Sequence, residues 1–563
     1  MPTFKKINLT SESPPAASPA QPLLPLGPSE NGPASTAAEP DINFEGELWD
    51  AAVRLRGTVA PADYRHYVLP LLFLRYLSLR YEQRHEQLRL ALQESASDYY
   101  TGDPEIDAEI LADPIEYQKE NIFVVPEEAS WAYLRRHARA GDIKLKLDNA
   151  MRLLEERHPK LAGVLPRIYA ASNLEPDQVA GLISLFSKDV FARKNGADLL
   201  GRTYEYFISN FASTEGNRGG EFFTPSSIVR LLVEMLQPTE GKVFDPAAGS
   251  GGMFVQSARF TYGSHSLSFY GQERIETTLR LCRMNLILHG VDGDIRLGNS
   301  LLNDAHPDLR ADYVITNPPF NMRGWDAGKL DPQDARLQIG YRRGQVTDSN
   351  ANYMWMMHFL YHLADGGTAG YVMANGAMTS NVSEERRTRE VLVEEGFVDC
   401  IVQLPDKLFF GTGIPCTLWF LSKNRGGTHG YRRRLDEILF IDARQMGEMV
   451  SRRQRALTDD EIHRIASVYH HYRTEGDTPE EESRNERKDV PGFCKIATLE
   501  QVRAHDYKLT PGIYVGTQVE DDDGEPFEEK MPRLIEELRG LFAESDRLRA
   551  RILEDLEHLN YGG

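Results

Sequence analysis

Between Lys188 and Tyr514, short apolar runs alternate with longer stretches whose apolar residues recur every three or four positions. The runs carry Val243, Phe269, Ile295, Val314, Gly370-Tyr371-Val372-Met373, Val398-Asp399-Cys400-Ile401-Val402 and Thr417-Leu418-Trp419-Phe420-Leu421. That βα rhythm predicts a mostly parallel, doubly wound sheet. From Phe44 to about Ser187 the period is helical throughout. Leu48, Ala51, Ala52 and Leu55 share one face. Tyr67 to Tyr81 reads as a strongly apolar helix with Arg75 and Arg80 on its polar side, and Ile143 to Arg157 and Asp177 to Phe186 as amphipathic ones. Near the C-terminus, Leu534, Ile535, Leu538, Leu541, Phe542, Leu548, Ile552, Leu556 and Leu559 form a stripe at helical spacing. The expected class is therefore α/β in four parts. Residues 1–42, rich in Pro, Ala and Ser, form a disordered tail. A helical N-terminal domain spans 43–187 and the doubly wound domain 188–515. Residues 516–563 hold an acidic linker, Glu520-Asp521-Asp522-Asp523-Gly524-Glu525, and the C-terminal helix.

Charge changes the picture of the partners. With 64 Lys and Arg against 84 Asp and Glu, the formal net charge is −20. Phosphate contacts supply much of the affinity for nucleic acid, so a chain this acidic needs local basic clusters or a partner that grips. Arg432-Arg433-Arg434 and Arg452-Arg453-Arg455 are the densest basic clusters. A solvated face is the ordinary reading of such runs, and phosphate contact the alternative. Cys282, Cys400, Cys416 and Cys494 are widely spaced without a C-x-x-C pair. They read as reduced core residues of a cytoplasmic protein, with no metal centre. No apolar run is long enough to span a membrane.

Candidate chemistry sits at two strand ends. Ala311-Asp312-Tyr313-Val314-Ile315 reads as a buried strand, and Thr316-Asn317-Pro318-Pro319-Phe320 follows it. Proline has no N–H and pushes the preceding residue to extended geometry, so the chain stops at a rigid corner. The Asn317 oxygen and the Pro318 carbonyl offer two fixed acceptors for the two hydrogens of an amine on an aromatic ring. Such an amine is a poor nucleophile until its lone pair is freed from the ring. Phe320 supplies a flat face for stacking. For these residues alone, an ordinary strand-to-loop turn is the other reading. The second end is Lys242-Val243-Phe244-Asp245-Pro246-Ala247-Ala248-Gly249-Ser250-Gly251-Gly252-Met253, a strand, a glycine turn and a helix start. Gly249, Gly251 and Gly252 allow close backbone approach to a ligand. No Lys-Ser/Thr follows the glycines, so the turn suits a cofactor with little phosphate. Glu273, ending the next strand, can accept from both hydroxyls of a ribose. Upstream, Glu221-Phe222-Phe223-Thr224-Pro225-Ser226 precedes an apolar-faced helix, with Thr224 as N-cap and Pro225 as first helical residue. Asn350 to about Leu363 reads as a helix whose Tyr353, Met356, Met357 and Leu360 face a core. Asn321 to Ser349 is a long polar loop, functional or disordered at that length, with Arg342-Arg343 as candidates for phosphate contact.

These stretches resemble the modification (M) subunit of type I restriction–modification systems, an S-adenosylmethionine-dependent adenine-N6 DNA methyltransferase family. The resemblance rests on Gly220 to Pro225, Asp245 to Gly252, Asn317 to Phe320, Leu404 to Pro415 and Leu69 to Leu77, in family order, and covers roughly Glu47 to Val515. It implies a cofactor site for S-adenosylmethionine drawn from Glu221, Phe222, Phe223, Thr224, Pro225, Ser226, Asp245, Ala247, Gly249, Ser250, Gly251, Gly252, Glu273 and Asn299. It implies catalysis by Asn317, Pro318, Pro319 and Phe320, and a hold on an extruded base by Phe320 and Phe410. Phe409, beside Phe410, is the better candidate for a plain core role. The implied partners are double-stranded DNA, a specificity (S) subunit met through the C-terminal helix, a second copy of this subunit and, where the system carries one, a restriction (R) subunit. The family more often has Gln at 221, Tyr at 223, Cys at 248 and Asp at 299 and 352. Here Glu221, Phe223, Ala248, Asn299 and Asn352 stand there. Asn299 keeps an oxygen that can accept from the cofactor's adenine amine.

The leading expectation is N6 methylation of a flipped adenine in a DNA sequence chosen by the S subunit. A methyltransferase acting on a protein glutamine amide or an RNA base is the alternative, because the same corner suits those substrates. A cofactor-binding scaffold without activity is a third reading, which the intact corner and glycine turn oppose. No nuclease constellation is evident in the chain.

Overall fold

The computed structural model describes residues 44–558, apart from 58, 194–195, 216–223, 262–265, 339–347, 410–412, 414, 429, 452–453, 475–488 and 517–526. The Arg342-Arg343 pair and Arg452-Arg453 lie outside the described residues.

The apolar periods of the N-terminal third become helices, among them Phe44–Leu55, Pro61–Gln93, Ile143–Arg157 and Pro176–Leu185. The second is longer than its apolar stretch suggests and carries Pro70 in its interior. Its stretch 68–79 is buried nearly all round. Arg75, expected on a polar face, is only 7% exposed. It pairs with Glu82 at 3.3 Å and lies over the Trp131 ring. The next helix, Gly196–Glu215, packs on this region: Trp49 meets Phe207, and Tyr64 meets Phe211. The Tyr76 hydroxyl donates to the Leu288 carbonyl at 3.1 Å, tying the helical region to the α/β domain.

The α/β domain holds strands β1 (Gly241–Asp245), β2 (Leu267–Glu273), β3 (Gly293–Leu297), β4 (Ala311–Thr316), β5 (Leu363–Ala374), β6 (Val398–Gln403), β7 (Cys416–Ser422), β8 (Glu437–Asp442), β9 (Glu448–Ser451), β10 (Gln454–Ala456) and β11 (Cys494–Thr498). Nine form one sheet in the order β11-β8-β6-β7-β5-β4-β1-β2-β3, and β9 and β10 form a separate ribbon. Strands β5-β4-β1-β2-β3 run parallel, while β7 is antiparallel to both β5 and β6, and β11 to β8. The chain steps from β1 to β3 on one side and returns at β4 on the other. That reversal between β1 and β4 is where an open sheet leaves a crevice. Apolar side chains from both faces and the flanking helices form two cores, with all four cysteines buried and unbridged. The helix Phe527–His558 closes the chain. Among the described residues, no helix is long and apolar enough to cross a membrane.

The arginine cluster after β7 is not a solvated face, nor does it offer two of its cations to phosphate. Arg434 is 2% exposed and clamps Asp399 with two bonds, Nε to Oδ1 at 2.8 Å and Nη2 to Oδ2 at 3.0 Å. Arg425 pairs with the same carboxylate at 3.1 Å, and the Tyr469 hydroxyl donates to it at 2.8 Å. Arg432, partly buried, pairs with Glu437, and Arg433 is the exposed member of the cluster. Burial alone would raise the Asp399 carboxyl, but Arg434 and Arg425 outweigh it and hold the group below its usual range. Arg455 likewise turns inward, donating to the Met446 and Gly447 carbonyls. Removing the carboxylate strands two buried guanidinium groups, and such a break costs about 3–5 kcal/mol. Asp399→Ala should therefore lower the unfolding free energy by about that amount. Chemical denaturation checks it, and a loss below about 1 kcal/mol would mean that water or a neighbour takes over the pairing.

Candidate active site at the C-terminal edge of the sheet

The ends of β1 and β4 are joined by one buried carboxylate. Asp245, 1% exposed, accepts from the Thr316 hydroxyl at 2.6 Å and from the Ala247 amide at 3.0 Å. The glycine turn and the proline corner are thus held side by side. Burial pushes the Asp245 carboxyl up to about 7, against the two hydrogen bonds that favour its ionised form.

After Asp245 the turn needs glycine at two positions. Gly249 has φ 53° and Gly251 φ 79°, both left-handed. A Cβ on Gly251 would also stand 2.9 Å from the Cys282 sulfur. Gly252 has no such strain, and a Cβ there would meet no atom within 4 Å. It opens the helix Gly252–Phe260 and borders open cavity, so its bare backbone widens the space. Asn285 Nδ2 donates to the Ser250 carbonyl at 2.9 Å and braces the turn from behind. Glu273 takes the Gly249 amide on one oxygen and the Ile275 amide on the other, each at 2.9 Å. Its carboxylate is therefore fixed in direction at the end of β2.

At the end of β4, Asn317 Nδ2 donates to the Thr224 hydroxyl at 3.0 Å. The amide's other atom, Oδ1, is buried and meets no donor among the described residues. Thr224 does not cap the following helix, contrary to the expectation from sequence. That helix runs Ser226–Leu236 with Pro225 as its N-cap residue, and the Thr224 hydroxyl turns to Asn317 instead. Beyond the prolines, Phe320 meets Phe409 edge to face, with ring centres 6.3 Å apart. Phe409 is buried in the core. Asn321 adopts φ 57°, and its amide donates to Asn352 Oδ1 at 2.8 Å, so the helix Asn352–His362 holds the exit of the corner.

The following loop is not structureless over its first half. Short turns at Ala327–Lys329 and Ala335–Gln338 pack Trp325, Leu330 and Leu337 into the core. Arg336, 5% exposed, donates to the Ser300 and Leu301 carbonyls, both at 2.8 Å, and pairs with Asp334. It also donates to His358 Nδ1 at 3.1 Å. His358, His362 and Asp304 bring donor atoms within 4.8 Å of one another, close enough to hold a metal. The Arg336 guanidinium directly behind His358 opposes a further cation there. His362 already lies between Asp304 Oδ2 at 2.9 Å and the Leu309 carbonyl at 3.0 Å. The group reads as a hydrogen-bonded node that fastens the loop to the segment after β3.

One cavity of about 680 Å³ gathers these parts, within the range of roughly 300–1,000 Å³ usual for small-ligand sites. Of the residues singled out from sequence, Thr224, Asp245, Ala247, Gly249, Ser250, Gly252, Glu273, Asn299, Asn317, Pro318, Pro319 and Phe320 line it. Pro225, Ser226 and Gly251 are not part of its lining. Glu221, Phe222, Phe223 and Phe410 lie outside the described residues. Asn299 lines the cavity while its Oδ1 accepts the Leu301 amide at 3.1 Å. Sequence reasoning missed Ile275, Ser300 and Trp355, and it missed Arg65, Leu69, Ile208 and Phe211 from the helical region. Apart from Leu69, which opens the Leu69 to Leu77 stretch, none of these sits in a motif, and the fold brings them to the cavity.

The buried Asp245 predicts a pH dependence of stability. Its folded value of about 7 lies above the ordinary 3.8, so the unfolded chain releases this proton first. Its contribution is full below about pH 4 and is lost as pH rises through about 7. The unfolding free energy of the wild type minus that of Asp245→Asn should fall across that window and then level off. Urea titrations from pH 4 to 8 measure it, and a flat difference would mean an ordinary carboxyl.

Comparison with known proteins agrees with this architecture. A family model described as the HsdM N-terminal domain matches residues 44–186, and one described as N-6 DNA methylase matches 195–523. The methylase subunit of the type I restriction enzyme MjaIX from Methanocaldococcus jannaschii is 39% identical over 525 residues, covering 92% of each chain. The HindI methylase subunit from Haemophilus influenzae is 41% identical over 441 residues, 75% of this chain and 94% of its own. The crystal structure of a type I methyltransferase subunit from Streptococcus thermophilus superposes with a TM-score of 0.68 at 24% identity, over 84% of this chain and 98% of that one, a likeness of fold. The matches favour DNA adenine over the alternative amine substrates. The chain belongs to the N6-adenine DNA methyltransferases, as a methylase subunit of the type I restriction–modification family.

Proposed function

We propose that the cavity binds S-adenosylmethionine and an adenine extruded from double-stranded DNA, and that methyl transfer takes place at the Asn317 corner. The observation that carries this reading is the state of the Asn317 amide. Its Nδ2 is committed to Thr224, while its Oδ1 is a buried acceptor without a donor among the described residues. A buried acceptor is costly unless a donor arrives. An adenine amine is such a donor, and it carries two hydrogens. Asn317 Oδ1 takes one and the Pro318 carbonyl the other, which favours a tetrahedral nitrogen with its lone pair free. The prolines fix the carbonyl in advance, so little reorganisation is needed. Phe320, braced by Phe409, offers the stacking face. Phe410 is assigned to the same base.

When bound, S-adenosylmethionine supplies a methyl group on a positively charged sulfur. The fit of the site to it rests on three features: the cradle of Gly249 and Gly251, the open space before Gly252, and the carboxylate of Glu273 aimed for ribose hydroxyls. Asn299 is assigned to the adenine end, and Glu221, Phe222, Phe223, Thr224, Pro225 and Ser226 are assigned to the same cofactor. The chain supplies position and fixed dipoles, with no nucleophilic side chain of its own.

Sequence choice belongs to an S subunit in this reading. Six large apolar side chains of the helix Phe527–His558, Ile535, Leu538, Leu541, Phe542, Leu548 and Ile552, are 43–62% exposed. An unpacked apolar stripe of that length fits a partner helix. A second copy of this subunit completes the modification complex around the DNA.

Asn317→Ala removes one acceptor and leaves the cofactor cradle intact. Methyl transfer should fall by about a hundredfold or more while S-adenosylhomocysteine binding is retained. Single-turnover transfer with calorimetric binding on the same sample tests this. Normal transfer by the variant would refute the mechanism.

A further inference from the structure

The helical N-terminal region contributes a charge to the cavity. Arg65 and Leu69, on the helix Pro61–Gln93, line the same space as Asn317, Glu273 and the glycine turn. Arg65 is held there by its surroundings. The preceding Tyr64 is fully buried, donates to the Ala52 carbonyl at 2.7 Å and packs on Phe211. Val68 and Leu69, one turn on, are buried as well. Burial, with the charge of Arg65, pushes His66 down to about 4, so this neighbour is neutral near pH 7. The charge at that wall is therefore the guanidinium.

Charges around the cavity are unevenly placed. Among the described lining residues the acids are Asp245 and Glu273 and the cations Arg65 and Arg274. Arg274 adjoins Glu273 at the end of β2, the ribose end of the site, and is exposed. Arg65 comes instead from the helices that also bring Ile208 and Phe211. With the ribose at Glu273 and the sulfur at Asn317, the amino-acid arm extends away from Glu273 and Arg274, and Arg65 is the lining cation that the helical region supplies. S-adenosylmethionine has one anionic group, and it stands at the end of that arm.

We infer that Arg65 binds the α-carboxylate of S-adenosylmethionine, so that the helical N-terminal domain forms part of the cofactor site. The inference rests on the cofactor reading given above. A guanidinium matches a carboxylate in charge and in its planar, two-donor geometry. Loss of a charge-assisted hydrogen bond of this kind weakens binding about tenfold or more.

The test compares two ligands on the full-length chain by calorimetry: S-adenosylhomocysteine, and decarboxylated S-adenosylmethionine, in which hydrogen replaces the carboxylate. Arg65→Ala should weaken the first about tenfold or more and leave the second unchanged, and Arg65→Lys should recover part of the loss. Thermal melting of each variant without ligand reports whether the fold is intact. Equal weakening of both ligands would overturn the inference, because Arg65 would then only shape the wall. Unchanged binding of both would overturn it too and would free Arg65 for another anion, such as a DNA phosphate. Wild-type protein that bound neither ligand would overturn the cofactor reading itself, and the inference with it.

Discussion

The structure turns on the hydrogen bond from Asn317 Nδ2 to the Thr224 hydroxyl. An amide can present either its donor or its acceptor to a pocket, and the two ends have opposite chemistry. Thr224 holds the donor end, so the acceptor end faces the space where a substrate amine would lie. Everything nearby serves this orientation. Pro318 and Pro319 prevent β4 from continuing. Thr316 ties the corner to Asp245 and thereby to the glycine turn. Asn352 fastens the exit at Asn321. The cavity is therefore set before any ligand arrives, as catalysis by positioning requires.

The fold supplies this geometry through its topology. Reversal of strand order between β1 and β4 leaves a crevice at the C-terminal edge of the sheet, and both motifs fall at its rim. Helices from the N-terminal third form the facing wall. Their packing is continuous with the α/β domain through Tyr76 and Leu288, and they place side chains in the cavity. The helical region thus does more than support the fold. The acidity of the chain fits the same division of labour. Arginines that looked available for phosphate are spent in pairs, Arg434 on Asp399 in the interior and Arg432 on Glu437 in a partly buried one. Grip on DNA then falls to other surfaces or other chains.

Much of this was legible in the sequence because it is local. The apolar run ending at Ile315, the prolines at 318 and 319 and the glycines at 249 and 251 each dictate nearby backbone, and the strands and turns stand where those residues put them. The parts that were not legible depend on residues far apart in the chain. Direction is one case: nothing in Cys416–Ser422 distinguishes an antiparallel β7 from a parallel strand. Pairing is another. Arg434 reads as surface until Asp399, 35 residues earlier, and Tyr469 come beside it. Thr224 suited a helix cap by local rules, but Asn317, 93 residues on, offered it a donor. Arg65 carries no motif at all, and only helix packing brings it to the cavity. Strand β9, exposed, and β10, half-buried, lack the apolar burial that makes a strand readable.

The most direct measurement is transfer of labelled methyl from S-adenosylmethionine to DNA without prior modification, by this chain together with its S partner. The DNA is digested to nucleosides and the labelled atom identified by mass spectrometry. Label is expected on adenine N6, appearing only when the partner is present. Label on any other atom, or none while the cofactor is bound, would contradict the proposed transfer.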